Sequence, residues 1–348
     1  MATERLISPA RTDLDEGPAN HALRPERLDE YIGQRELAER LRIGIEAVRQ
    51  RDEPLDHILL HGPPGLGKTT LAYVIANELG TSVHSTSGPA LTRGTDLASA
   101  LTRLQPRDVL FIDEIHRLPV AVEEFIYPAM EDYRIDVTLD SGLSARTVQI
   151  RCQPFTLIGA TTRAGLLSGP LRSRFGITHH LKYYDREDLL AILQRSARLL
   201  NLEADDGALE SIARRSRGTP RVANRLLRRV RDFAQVRAGG SVTPEVVDAA
   251  LTLEGVDHLG LDELDRSYMR TIGKTYAGGP VGLEAVAATM NEDSGTLEDI
   301  VEPYLLQIGF LARTRRGREL TAAGADFVGV PPPARPSASD PALFEEPG

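Results

Sequence analysis

The sequence predicts an α/β core built on a parallel sheet, followed by an α-helical domain and a C-terminal winged helix. Three observations predict it. Short apolar runs alternate with helical patterns over residues 21–184; a purely helical stretch follows; and three helical runs near the C-terminus lead into two short strands joined by arginines. Continuous apolar strands separated by helices belong to parallel sheets covered on both faces.

In the first block the strand-like runs are His57–His61, Val83–Ser85, Val109–Asp113 and Thr156–Ala160, with helical patterns at Lys68–Leu79 and Val120–Glu131. Arg134–Ile150 alternates apolar and polar residues on both sides of Asp140-Ser141-Gly142, the pattern of a protruding hairpin. An ordinary surface hairpin and a docking hairpin read alike at this point. The second block, 185–255, carries helical spacing at Asp185–Leu200, Asp205–Arg215, Pro220–Ala238 and Thr243–Leu251, with Pro220 placed at a first helical position. The third block, 256–330, has helical runs Leu261–Lys274, Val281–Thr289 and Thr296–Ile308, then strand-like pieces at Phe310–Arg313 and Glu319–Ala322. That order is a winged-helix pattern. Residues 1–20 and 331–348 are polar and rich in Pro and Gly, and are expected to be disordered.

Composition bounds the partners. The chain has 348 residues, enough for two or three domains, and its 41% apolar content supplies ordinary aliphatic cores. One cysteine, Cys152, makes an internal disulfide impossible and suits a reducing compartment. No apolar run reaches the roughly 20 residues of a membrane span, and the N-terminus lacks the apolar centre of a secretory leader, so a cytoplasmic location is expected. The eight histidines show no metal-ligand spacing. A net charge of −9 argues against a surface that coats nucleic acid everywhere. Local basic sites remain: residues 205–237 hold nine Arg against four acidic residues, and 313–318 reads RTRRGR.

Gly62-Pro63-Pro64-Gly65-Leu66-Gly67-Lys68-Thr69-Thr70 matches the P-loop pattern, with an apolar strand running in and a helix running out. Its glycines let backbone N–H groups turn toward phosphate oxygens at a helix N-terminus. Lys68 is suited to the β- and γ-phosphates of ATP, and Thr69 to Mg2+. Val109–Asp113 followed by Glu114 is a buried strand ending in two carboxylates. Asp113 can hold Mg2+, through water, and Glu114 can polarise the attacking water. Leu157–Thr162 is a strand that should lie beside this one, and Thr162 can hydrogen-bond the γ-phosphate or the lytic water. Arg174 follows shortly after it, and Arg221 opens the Arg-rich helix; a guanidinium at either place can stabilise charge on the transferring phosphoryl group. Arg225, Arg228 and Arg229 of that helix are expected to form a solvated or interface face.

In this order the motifs resemble the AAA+ ATPases, and within them the RuvB family, over roughly residues 20–330. The residues that carry the likeness are the P-loop, DEIH at 113–116, GATT at 159–162, LRSRFG at 171–176, GTPRVANRLLRR at 218–229, LRPERLDEYIGQ at 23–34 and the run from Asn291 to Arg318. The resemblance implies a sensor role for Thr162, a second sensor role for Arg221, and an arginine finger at Arg174 that enters a neighbouring subunit's site. It implies nucleotide contacts at Leu23, Arg24, Glu131, Asp132, Tyr133 and Tyr184, besides the P-loop residues Gly62 to Thr70. It implies DNA-phosphate contacts at Arg313 and Arg318. It further implies a hexameric ring working on double-stranded DNA at Holliday junctions, with RuvA docking on the hairpin at about 134–150 and RuvC joining in a resolvasome. The chain departs from some relatives at Asp293-Ser294-Gly295, where they carry an Arg, so no DNA contact is expected there. The alternatives are a sliding-clamp loader subunit, whose last domain is a helical collar, and a non-hydrolysing adaptor with a vestigial ATPase fold.

Overall fold

A computed structural model of the chain describes residues 6–7, 22–138 and 147–332. The hairpin tip at Asp140-Ser141-Gly142 and most of the two ends expected to be disordered lie outside these residues. Leu6 and Ile7 correct that expectation for their own positions. Both are buried, and the Leu6 carbonyl accepts a hydrogen bond from the Arg225 guanidinium at 3.0 Å. The described residues pack into two compact units that part between Leu251 and Thr252.

The first unit is built on a five-stranded sheet. In chain order its strands are β1 (Ile58–His61), β2 (Val83–Ser87), β3 (Val109–Asp113), β6 (Thr156–Thr161) and β7 (Ile177–His180). They lie in the order β2-β3-β6-β1-β7, and every pairing is parallel. Strands β1, β3 and β6 are buried nearly end to end, as expected for central parallel strands covered on both faces. Sequence periodicity did not reveal β7. It is an edge strand whose residues alternate between half-buried and exposed, and its polar sequence ITHH lacks an apolar run. Helices α1 (Arg35–Arg51), α2 (Lys68–Leu79), α3 (Gly94–Leu101), α4 (Val120–Asp132) and the short α5 (Gly169–Ser173) flank the sheet. Strands β4 (Arg134–Thr138) and β5 (Thr147–Arg151) form the antiparallel hairpin read from the sequence, in register from Arg134↔Arg151 to Thr138↔Thr147.

Helices α6 (Arg186–Leu199), α7 (Asp206–Arg215), α8 (Pro220–Arg237) and α9 (Pro244–Leu253) follow. Pro220 stands at the start of α8, where its missing N–H is no loss. Val222, Leu226, Val230 and Ala234 are buried along one stripe of α8, spaced to face inward. This helical group is tied to the phosphate-loop region by two backbone bonds, Tyr184 N–H to Gly218 O at 2.9 Å and Arg221 N–H to Gly65 O at 3.4 Å.

The second unit contains α10 (Glu263–Thr275), α11 (Leu283–Met290), and α12, which runs through Ser294–Thr296, a π-helical turn at Leu297–Val301 and Glu302–Gln307. Strands β8 (Leu311–Thr314) and β9 (Gly317–Leu320) follow, then α13 (Ala322–Phe327). Asp262 caps α10, accepting from the Leu264 and Asp265 N–H groups, while Asp265 accepts from the Asp262 N–H. Val281 bridges Arg318 in antiparallel fashion, adding a third short segment to the wing. Tyr268, Met269, Ile272, Val286, Leu297, Val301 and Leu305 form the core.

A fully buried carboxyl, Glu302, joins α12 to the wing. Its Oε1 accepts from the Tyr268 hydroxyl and from Arg318 Nε at 2.8 Å, and its Oε2 accepts from Arg313 Nε at 2.7 Å. Burial and the adjacent Glu302 push the Tyr268 phenol far above its ordinary pKa, so it remains a donor. Removing the shared acceptor leaves the buried Tyr268 hydroxyl and the half-buried Arg318 guanidinium without that partner. Glu302→Ala is therefore expected to destabilise this unit by about 3 kcal/mol, and Tyr268→Phe by about 1 kcal/mol. Amide hydrogen exchange of residues 263–275 measures both losses; equal protection in parent and Glu302→Ala protein would remove the carboxylate from the account.

Candidate active site

Parallel pairing places the C-terminal ends of β1, β3 and β6 along one edge of the sheet. His61 stands opposite Thr161, and Ile112 opposite Gly159. The phosphate loop after β1, the carboxylates ending β3 and the threonines ending β6 therefore meet, at the edge where open α/β sheets bind ligands. Gly62, Gly65 and Gly67 all have positive φ, at 136°, 78° and 94°. At Gly62 a Cβ would stand 2.6 Å from the Leu181 carbonyl oxygen, so no other residue fits that turn. The loop opens α2 beside a cavity of about 390 Å³. Gly65, Gly67, Lys68, Thr69 and Thr70 line it, as do Asp113, Glu114, Thr162 and Arg221. Leu66 lies behind the loop, fully buried.

Lys68 is nearly buried and donates from Nζ to the Gly62 and Pro63 carbonyls at 2.8 Å each. Burial pulls its pKa down to about 8, against the opposing pull of Asp113 and Glu114. Glu114 sits in the left-handed region, φ 47°, and its N–H donates to Asp113 Oδ1 at 3.0 Å. Its Oε2 accepts from Thr162 Oγ1 at 3.3 Å and lies 3.1 Å from His116 Nδ1. Thr69 and Asp113 offer a hydroxyl and a carboxylate to the same cavity. Hard oxygen donors beside a phosphate-binding loop are the set that Mg2+ takes, so these residues fit that ion.

The opposite wall is apolar and aromatic. Leu23, Pro25, Tyr31, Ile32, Tyr184 and Ile192 line it, with Arg24 at its rim. The Tyr184 hydroxyl lies 3.3 Å from both the Tyr31 hydroxyl and the Leu66 carbonyl. Sequence reasoning missed Arg195, Asn224 and Arg228, which also line the cavity. Arg195 donates to the Leu23 carbonyl at 2.8 Å and pairs with Glu30 at 2.6 Å. A helical spacing of 221, 224 and 228 puts three polar residues on one face, and that signal was available. The expected solvated or interface face of α8 needs correction at two positions: Arg225 is 1% exposed, and Arg228 lines the cavity. The helix is packed on more than one side, so Arg225 is held by neighbouring groups, while Arg229 is half-buried and Arg237 exposed.

Gly62 and Leu66 belong to the loop without lining the cavity, and four further expected site residues stand elsewhere. Arg174, Glu131, Asp132 and Tyr133 are absent from the cavity lining. Arg174 pairs with Glu131 at 2.9 Å, donates to the Pro170 carbonyl at 2.8 Å and stacks 4.3 Å over the Tyr127 ring. Asp132 pairs with Arg134 at 3.1 Å. In the second unit, Arg313 and Arg318 share Glu302 and Glu298; the Arg313 side chain is 42% exposed and that of Arg318 18%. Arg315 and Arg316 at the turn are exposed. On α12 Glu298 is half-buried and Asp299 exposed, so the exposed arginines of this region lie on the hairpin.

Fold and site together define a P-loop ATPase of the AAA+ class, with a nucleotide cleft between an α/β core and a helical lid. Three family models match in chain order: the Holliday junction DNA helicase RuvB P-loop domain over residues 23–181, the RuvB AAA lid domain over 184–257 and the RuvB C-terminal winged helix domain over 258–329. The chain belongs to the RuvB family. The Thermotoga maritima RuvB Holliday junction branch migration motor is 49% identical, with a TM-score of 0.81, covering 90% of this chain and 100% of that one. A point mutant of Thermotoga maritima RuvB is 50% identical, with a TM-score of 0.82, covering 89% and 99%. A terminal winged helix in place of a helical collar sets aside the clamp-loader alternative.

The lowered pKa of Lys68 has a direct test. Below about pH 8 the amine in the empty site is charged, and above it neutral. Polyphosphate favours the charged form. Nucleotide affinity is therefore expected to hold steady up to about pH 8 and then fall by up to about tenfold per pH unit. Fluorescent-nucleotide titrations between pH 7 and 9.5 measure this. A Lys68→Arg protein, always charged, should lose the dependence; a flat parental profile would show the amine charged throughout and overturn its lowered pKa.

Proposed function

We propose that the chain is an ATP-driven subunit of a ring that moves double-stranded DNA and branch-migrates Holliday junctions, in recombination and repair. The observation that carries this reading is the match of all three RuvB domains, in order, on one chain whose cleft holds Lys68, Asp113, Glu114, Thr162 and Arg221 together. Residues 21–184 act as the ATPase core, 185–255 as the lid and 256–330 as the DNA-binding head.

The chemistry follows from the cleft. ATP lies with its base against Leu23, Arg24, Tyr31 and Tyr184 and its phosphates in the loop from Gly62 to Thr70. Lys68 exchanges its two backbone carbonyls for phosphate oxygens. Thr69, and Asp113 through water, would hold Mg2+, which would supply charge neutralisation at the β- and γ-phosphates. Glu114 orients the attacking water and accepts its proton. Thr162 holds the γ-phosphate end, and Arg221 brings the lid to it. Arg174 lies away from its own chain's cleft, as a finger that acts on a neighbour must, and stabilises the neighbour's transferring phosphoryl group. Glu131, Asp132 and Tyr133 stand on the same side and complete that shared pocket.

Loss of the γ-phosphate releases groups contributed by core, lid and neighbour, so their mutual angles change as in hinge motions. In a ring, six-membered as the family implies, sequential release drives the heads along DNA. Arg313 and Arg318, with the exposed Arg315 and Arg316, touch phosphates, so binding reads charge and not base sequence. RuvA docks on the hairpin at about 134–150 and recruits the ring to the junction; RuvC joins the assembly. The expected location is the cytoplasm, and no described helix is long and apolar enough to cross a membrane.

Branch migration of a synthetic four-way junction, with and without RuvA, tests the reading. ATP should drive it, and RuvA should stimulate it. Arg174→Ala should bind nucleotide normally yet lose about a hundredfold or more in turnover. Mixing it with a Lys68→Ala protein should restore activity at interfaces where an intact finger meets an intact loop; no recovery in mixed rings would refute action across the interface.

A further inference from the structure

The motif roles leave unused one largely covered polar side chain beside the cleft-lining Glu114, that of His116. It stands in the single 3-10 turn Ile115–Arg117 that follows Glu114, and its side chain is 8% exposed. Its Nδ1 lies 2.8 Å from Thr161 Oγ1 and 3.1 Å from Glu114 Oε2. Thr161 ends β6 and is fully buried; its hydroxyl oxygen also accepts from the Arg163 N–H at 3.0 Å. The next residue, Thr162, donates to the same Glu114 oxygen.

The chemistry of the groups fixes the direction of these contacts. A carboxylate accepts hydrogen bonds and cannot donate them. A 3.1 Å approach of Nδ1 to Oε2 is attractive only with the hydrogen on Nδ1, and that hydrogen is shared with Thr161 Oγ1. The other tautomer would set two lone pairs against each other. The Glu114 backbone is pinned as well, in a left-handed conformation that is unfavourable for a residue with a Cβ, with its N–H held by Asp113.

We propose that His116 is a positioning residue for hydrolysis: its Nδ1–H anchors the Glu114 carboxylate to Thr161 at the end of β6, so that the water-activating base and the phosphate-sensing Thr162 keep a fixed relation. Once Thr162 turns to the γ-phosphate, Glu114 loses one of its two side-chain donors, and His116 is the donor that still sets its angle. The inference rests on the reading of Glu114 as the base.

The test uses the full chain assembled on duplex DNA, with ATP turnover and nucleotide binding measured separately. His116→Ala should lower kcat about 10–100-fold while KM and nucleotide affinity stay within about twofold, because orientation of the base acts on the chemical step and not on binding. His116→Asn, whose amide N–H can reach the position of Nδ1, should recover most of the lost rate. In a Glu114→Gln background His116→Ala should add no further loss, because the two act through one group. Parental turnover in His116→Ala overturns the proposal. So does equal impairment in the Ala and Asn proteins, or loss of nucleotide binding in both, either of which makes His116 a packing residue. The Glu114→Gln protein separates the two levels: if it hydrolyses ATP at the parental rate, the base assignment itself falls and takes this inference with it.

Discussion

Burying an ammonium group away from water is costly unless oxygen atoms surround it, and Lys68 is the place where this chain accepts that cost. Two carbonyls of its own loop, those of Gly62 and Pro63, supply the oxygens. The loop can offer them only because Gly62, Gly65 and Gly67 take positive φ. The sheet order then decides what else lies nearby: β6 between β1 and β3 sets the carboxylates and threonines around the amine. The lid reaches the same loop through the Arg221 N–H on Gly65. A polyphosphate entering the cleft meets a charge already in place and a cradle already shaped.

The second unit solves a different electrostatic problem. Four arginines lie within six residues of the wing, and unopposed they would splay the hairpin. Glu302, and to a lesser degree Glu298, draw Arg313 and Arg318 back toward α12, while Arg315 and Arg316 remain at the exposed turn. The buried carboxyl thus serves shape before it serves recognition. An isolated buried ion pair is weak support for stability, but here a tyrosine and two guanidinium groups satisfy both oxygens of one carboxylate.

Much of this architecture was legible in the chain, and the reasons are physical. Strands β1, β3 and β6 read clearly because they are short, apolar through their middles and bounded by loops; the same burial makes the motifs at their ends conspicuous. Pro220 marked the start of α8 correctly. Strand β7 escaped because an edge strand keeps a polar side, and α12 was read as one regular run although a π turn interrupts it. Arg225 and Arg228 were misjudged because an arginine on a helix says nothing of what packs against it. Leu6 and Ile7 were hidden in a polar, proline-punctuated stretch, where two apolar residues make no period. His116 was quoted within DEIH as part of a family pattern, and only geometry shows it bonded between Thr161 and Glu114.

Arg174 stands at home with a carboxylate, a carbonyl and an aromatic face around it. If that guanidinium serves the adjoining protomer, it must first leave Glu131. Until then the finger stays holstered on its own subunit. Only a neighbour presenting a polyphosphate, with several negative charges against the single one of Glu131, offers a better exchange. The arginine is thus drawn out by nucleotide arriving next door and not by nucleotide bound at home.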